Sequence, residues 1–127
     1  MDAKEGGIMA LARNVTVNLQ NGDPKSTIYT VPAGKKMIVV FVVVKAPTAS
    51  LAGATDVDFG DGAGANTWLN AVNLADLTTS AKFRVISSLN TTYTIFDAGD
   101  VFGVKPVTGA VLDADAIVDL FGYLYDE

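Results

Sequence analysis

Residues 14–20 alternate, with Val15, Val17 and Leu19 set between polar neighbours, which is the period-two pattern of a strand with one buried face. Residues 26–31, STIYTV, continue in β-branched and aromatic company, with Ile28 and Thr30 on one side and Tyr29 and Val31 on the other. Between the two runs, Asn21-Gly22-Asp23-Pro24 predicts a turn, because glycine accepts positive φ and proline cannot donate to a ladder. The alternation then stops. Met37 to Val44, MIVVFVVV, is an unbroken apolar run and predicts a strand buried on both faces, which a lone sheet cannot provide. Further strands are predicted at 54–59, 81–86, 91–96, 101–105 and 116–125, with Pro47 and Pro106 closing two of them. Helix signals are weak: residues 70–79 offer apolar positions at 72, 74 and 77 for a single turn, and residues 6–13 suit a short helix or an extended arm.

About eight short strands at spacings near ten residues predict an all-β fold, a two-sheet antiparallel β-sandwich of jelly-roll type. Residues 1–13 form an N-terminal arm in this reading and residues 14–127 a single domain. An internal echo agrees with paired corners: YTVPAGKKMIVVFVV and TIFDAGDVFGVKPVTGA share the plan of β-run, Ala-Gly turn, β-run.

Composition narrows the chemistry. The 127 residues suffice for one core, and the longest apolar run is far below the ~20 residues of a spanning helix. No basic start followed by an apolar block marks a secretory signal, so neither membrane insertion nor export by that route is expected. Cysteine and histidine are both absent, which removes thiolate chemistry, the commonest general base and the commonest transition-metal ligand. The two glutamates are Glu5 and Glu127, so paired-carboxylate catalysis would fall to aspartates, and no spacing of Asp56, Asp58, Asp61, Asp97 or Asp100 marks such a pair. Neither an enzyme nor a cofactor is expected.

The net charge of −5 is unevenly spread: residues 1–52 carry a balance of +3 and residues 97–127 a balance of −6. Nucleic acid is a poor partner for a chain without a concentrated basic face. The asymmetry suits either ordinary solvated charge or complementary surfaces on neighbouring copies.

Residues 56–68, DVDFGDGAGANTW, are the most distinctive loop. Counted from Asp56 as first ligand of a calcium loop, Asp58 fits, but Gly60 stands where the fifth ligand belongs, Asp61 where the turn glycine belongs and Thr67 where the bidentate glutamate belongs. No metal is assigned. As a strand, the segment points Val57 and Phe59 inward and both Asp56 and Asp58 to solvent, leaving Asp61 in the turn. An inter-strand loop, a cation site and the lip of a glycan site built on Asp58, Asp61 and Trp68 remain open, and Trp68 itself suits a core plug, an oligomer anchor or a sugar platform.

The segments YTVPAGKK with its Val-rich strand, FDAGDVFGVK, the Gly109-Ala110 turn and the final GYLYDE resemble small β-sandwich virion proteins of tailed bacteriophages, namely capsid decoration (cement) proteins and the jelly-roll modules of tail and head fibres. The resemblance covers residues 26–125 and implies a non-catalytic homotrimer on the capsid's outer surface that binds the major capsid protein. It also implies an arm that docks on a neighbouring surface, with Ile8, Met9 and Leu11 as the anchors. A fibre head with a carbohydrate-binding loop is the alternative. Independently, the doubly apolar strand predicts that something covers Ile38, Val40, Val42 and Val44, and the stripe of Tyr123 and Tyr125 suits an intersubunit seam. Burying four such aliphatic side chains corresponds to roughly 6–12 kcal/mol of gross transfer free energy, which predicts a symmetric oligomer.

Overall fold

The computed structural model of the chain describes residues 7–88 and 94–127. The strands are β1 (Met9–Asn18), β2 (Ser26–Thr30), β3 (Lys35–Lys45), β4 (Asp56–Gly60), β5 (Leu69–Val72), β6 (Phe83–Ser87), β7 (Ile95–Asp97), β8 (Val101–Thr108) and β9 (Asp115–Asp126). They form two antiparallel sheets packed as a sandwich. The first has the order β1-β9-β3-β6, with β7 pairing beside β6 on the same strand, β3; the second has the order β2-β8-β4-β5.

The core lies between the sheets because each strand turns one row of apolar side chains inward. Val17 and Leu19 of the first segment, Met37, Val39, Val42 and Val44 of β3, and Ala116, Val118 and Leu120 of β9 face Ile28, Val57, Phe59, Phe102 and Val104 from the second sheet, all buried. The Ala-Gly corners behave as their sequence predicts. Gly34 and Gly99 adopt φ of 77° and 88°, where a side chain would be strained. The two corners lie side by side: Gly99 N–H donates to the Val31 carbonyl at 2.9 Å and Val31 N–H to the Asp100 carbonyl at 3.0 Å.

Three expectations change. Residues 70–79 form no helix: Leu69–Val72 is strand β5, and the single expected turn follows it, closed by Leu77 N–H to the Leu74 carbonyl at 3.0 Å, while Leu74 and Leu77, both buried, are tied across by Leu74 N–H to the Ala54 carbonyl (2.8 Å) and Leu51 N–H to the Leu77 carbonyl (3.0 Å). Pro106 does not close a strand but lies inside β8. It is tolerated because β2 pairs only as far as Val104, so β4 is the single neighbour there, and the register slips beside it at Asp56/Val57. The strand expected at 91–96 appears as Ile95–Asp97, its residues 91–93 lying outside the described residues.

Candidate interaction surface

The doubly apolar run of β3 owes its behaviour to one extra residue. Val39 pairs with Gly122 and Phe41 with Phe121, so Val40 is left over as a β-bulge and the inward and outward rows exchange parity across it. The expected outer row of Ile38, Val40, Val42 and Val44 is therefore corrected: Val42 and Val44 are 0% and 1% exposed in the core, and the outward row is Ile38, Phe41 and Val43, with Val40 half-buried at the bulge. Glycine at 122 lets the two backbones approach at this point. Phe41 and Phe121 stack across the strands with centroids 4.5 Å apart and planes at 14°. Tyr123 lies opposite Ile38, which lies opposite Ile95, making an apolar row across the sheet, and Tyr125 follows beside Lys36. At the far edge Phe83 and Val85 stand exposed. This face is apolar in its centre and open to solvent.

One buried carboxylate sits on the same face. Asp119 is 5% exposed, lies opposite Val43, receives Lys45 Nζ at 2.7 Å on Oδ2, and accepts Asn14 N–H at 2.7 Å on Oδ1. Asn14 itself has φ 57° at an irregularity in β1, so the carboxylate holds a kinked segment of that strand on the sheet. Burial is the largest single influence and opposes ionisation. The hydrogen bonds from Lys45 and Asn14 and the charges of Lys45 and Arg13 together outweigh it and hold the carboxyl below its ordinary value. A lowered folded-state value means that this stabilisation is present at neutral pH and is lost as the pH falls through the folded-state value. Asp119→Asn is expected to cost about 2 kcal/mol at neutral pH, and the gap to the parent is expected to shrink in acid below the ordinary carboxylate range. Urea unfolding across that pH range checks this, and a gap that does not change with pH would contradict it.

The sequence-level charge asymmetry is resolved within the first sheet. Lys35 pairs with Asp126 at 2.5 Å, Lys36 with Asp97 at 2.5 Å and Lys45 with Asp119, so the basic strand β3 lies between acidic β9 and β7. The first two pairs are solvent-exposed and contribute little to stability.

The 56–68 segment is occupied by its own fold. Val57 and Phe59 point inward as expected, but Asp58 does not face solvent: it is 9% exposed and its Oδ1 accepts Ala71 N–H at 3.0 Å, where Ala71 has φ 57° in β5. Asp61 stays in the turn, tied by Thr67 Oγ1, which donates to its Oδ1 at 2.5 Å and accepts its N–H at 2.9 Å. Trp68 is 6% exposed and meets Phe59 and Phe102 edge-on at 6.3 and 5.8 Å, with Phe96 edge-on to Phe102 at 5.5 Å. It is a core plug, not a sugar platform. Among the described residues no three carboxylates gather as a metal site would require.

Part of the segment expected as an N-terminal arm is strand. From Met9 onward the chain is strand β1, with Met9 opposite Gly122 and Ala12 opposite Leu120. Leu11 is half-buried against the core, while Ile8 and Met9 are exposed at 50% and 37%. Residues 1–6 of the expected arm lie outside the described residues.

No family model matches the chain, and no curated protein matches it. Among solved structures, a chain titled "Cyanophage Pam1 capsid asymmetric unit" superposes with a TM-score of 0.54 at 20% identity, over 95% of this chain and 86% of that one. The two share a fold. At that identity the likeness speaks to architecture alone, and it spans nearly all of this chain.

Four features of the surface escape the sequence reading: the Val40 bulge, the Gly122 contact, the Asp119 clamp and the exposed pair Phe83 and Val85. Two left a trace. Asp119 is the one charge inside the apolar run 116–125, and Phe83 and Val85 flank Arg84 in an alternating strand. The bulge leaves none, because an unbroken Val/Ile/Phe run carries no mark of where parity changes.

Proposed function

We propose that the protein is a non-catalytic structural component of a phage virion, assembled as a homotrimer on the outer surface of the capsid, where it binds the major capsid protein and stabilises the shell. The observation that carries this reading is the shared fold with a capsid chain over nearly the whole length. The strand order supports a jelly roll in particular. Two four-strand rows, β1-β9-β3-β6 and β2-β8-β4-β5, alternate between the sheets as a folded-over ribbon of two Greek keys would, with β7 as a short addition.

The outer face of the first sheet supports self-association. Its centre, Ile38, Phe41, Val43, Phe121 and Tyr123, is apolar and its margins carry the Lys36–Asp97 and Lys45–Asp119 pairs, which is the layout of an apolar interface core with a polar rim. In this reading Ile38 and the Tyr123/Tyr125 stripe are seam residues, while Ile8 and Met9, exposed at the start of β1, touch the shell.

The test is to add the purified protein to capsids stripped of it, image the particles and record the mass of the free protein. Density at regular positions on the shell, with a trimeric mass in solution, is expected. Particles without added density would overturn the capsid assignment, and a monomer at micromolar concentration would overturn the trimer.

A further inference from the structure

The outermost strands of a sandwich present N–H and C=O groups with no neighbour, and folded proteins blunt such edges with bulges, short strands, proline or charge. Here the edges are treated unequally. β1 is interrupted by two register shifts and carries Asn14 at φ 57°. β2 contains a register shift and follows Pro24. β5 is four residues long with Ala71 at positive φ, and β7 is three residues long and ends on Asp97, tied to Lys36. β6 has no such interruption. Its five residues run in continuous register against Phe41–Lys45, and Phe83 and Val85 stand 66% and 55% exposed. Its other row turns inward: Ile86 is buried and Arg84 donates to the Asn73 carbonyl across a cleft of about 470 Å³, bounded by β5 and β6 and lined by Leu69, Val72, Asn73, Arg84 and Ile86.

We propose that the β6 edge accepts an extended acidic segment of another protein as an added strand of the first sheet. The main chain of the segment supplies hydrogen bonds to β6, one row of its side chains packs on Phe83 and Val85, and the other row enters the cleft with a carboxylate opposite Arg84. Charge complementarity selects the acidic character. Lys82 and Arg84 donate only to neutral oxygens, the Thr78 hydroxyl and the Asn73 carbonyl, and among the described residues neither meets a carboxylate. The aspartates of β7 and β9 that pair with lysines, Asp97, Asp119 and Asp126, are tied within this chain, so those strands of a second copy do not supply the acidic segment. The inference does not depend on which particle the protein belongs to.

The test uses the full chain and a labelled synthetic peptide of about eight residues alternating valine and aspartate, followed by fluorescence anisotropy. Binding is expected to be at least about tenfold tighter than for a valine–lysine peptide, and Arg84→Glu is expected to reverse that order. Methylating one alternate set of peptide amides is expected to abolish binding while methylating the other set does not, because a strand edge uses one set only. Phe83→Ser with Val85→Ser, which removes the apolar row without changing the charge, is expected to weaken binding at least about tenfold with the urea midpoint retained, since both side chains are exposed. Equal binding of the two peptides, no effect of methylation on either set, or no binding to the parent would overturn the proposal. So would a parent oligomer that the double variant converts to monomers, which would assign the edge to a second copy.

Discussion

Gly122→Ala is expected to destabilise the protein by about 3 kcal/mol, the upper end of what one added methyl costs in a packed interior. A Cβ at this position would lie 2.2 Å from the Ile38 carbonyl oxygen and 3.1 Å from Val39 Cα. Both are backbone atoms of a strand held by β9 on one side and by β6 and β7 on the other, so no side-chain rotation relieves the overlap. Urea unfolding measures the loss, and a change under about 1 kcal/mol would mean that the strands can separate locally at little cost. Deleting Val40 is expected to do less damage than the alanine. It removes only the residue without a ladder partner, so Met37, Val39, Val42 and Val44 stay inward, Ile38, Phe41 and Val43 stay outward, and a cooperative transition should be retained.

Trp68→Ala is expected to cost about 4 kcal/mol, as large aromatic truncations in cores do, whereas Trp68→Phe should cost about 1–2 kcal/mol because most of the volume remains. The side chain sits edge-on to Phe59 and Phe102, and Phe102 passes the contact on to Phe96, so the truncation removes the ring that joins Phe59 to the other two in a four-ring cluster bridging the sheets. Near-ultraviolet circular dichroism should lose its tryptophan bands in Trp68→Ala, the single tryptophan of the chain, together with the drop in urea midpoint. A Trp68→Ala protein with parental stability would return the residue to the surface and revive a role in ligand contact.

The fold was largely legible because its signals are local. Alternation marks β1 and β9, β-branched and aromatic runs mark β2, β3 and β8, and the Ala-Gly corners announce their positive φ. β5 was missed because Leu69-Asn70-Ala71-Val72 is short and lacks β-branched density, and what fixes it is non-local, the Asp58 carboxylate on Ala71 N–H. The candidate surface was only half legible. That β3 needed cover on both faces followed from its composition, but which side chains face outward depends on a bulge set by the glycine opposite, 83 residues later in the chain. Asp58 illustrates the same limit: period-two reasoning placed it correctly on the face away from Phe59, and only the neighbouring strand makes that face a buried one. The charge asymmetry of the two halves left solvated charge and surfaces for neighbouring copies both open because sequence distance hides that β3, β7 and β9 are neighbours.

The position of β9 between β1 and β3 has a consequence for how the protein is made. The second sheet has all its strands once Thr108 has left the ribosome, but the first sheet has no middle until the last strand, Asp115–Asp126, emerges. Until then β1 and β3 share no partner, and the inward rows of the second sheet lack half of their cover. Folding of the nascent chain therefore waits for Asp115–Asp126 to emerge, since a pairing between distant segments cannot form before both exist. The Phe41–Phe121 stack and the Asp119 clamp likewise come into being only with that strand. A polypeptide that stops short of β9 is thereby left without a first sheet, whatever the state of its second.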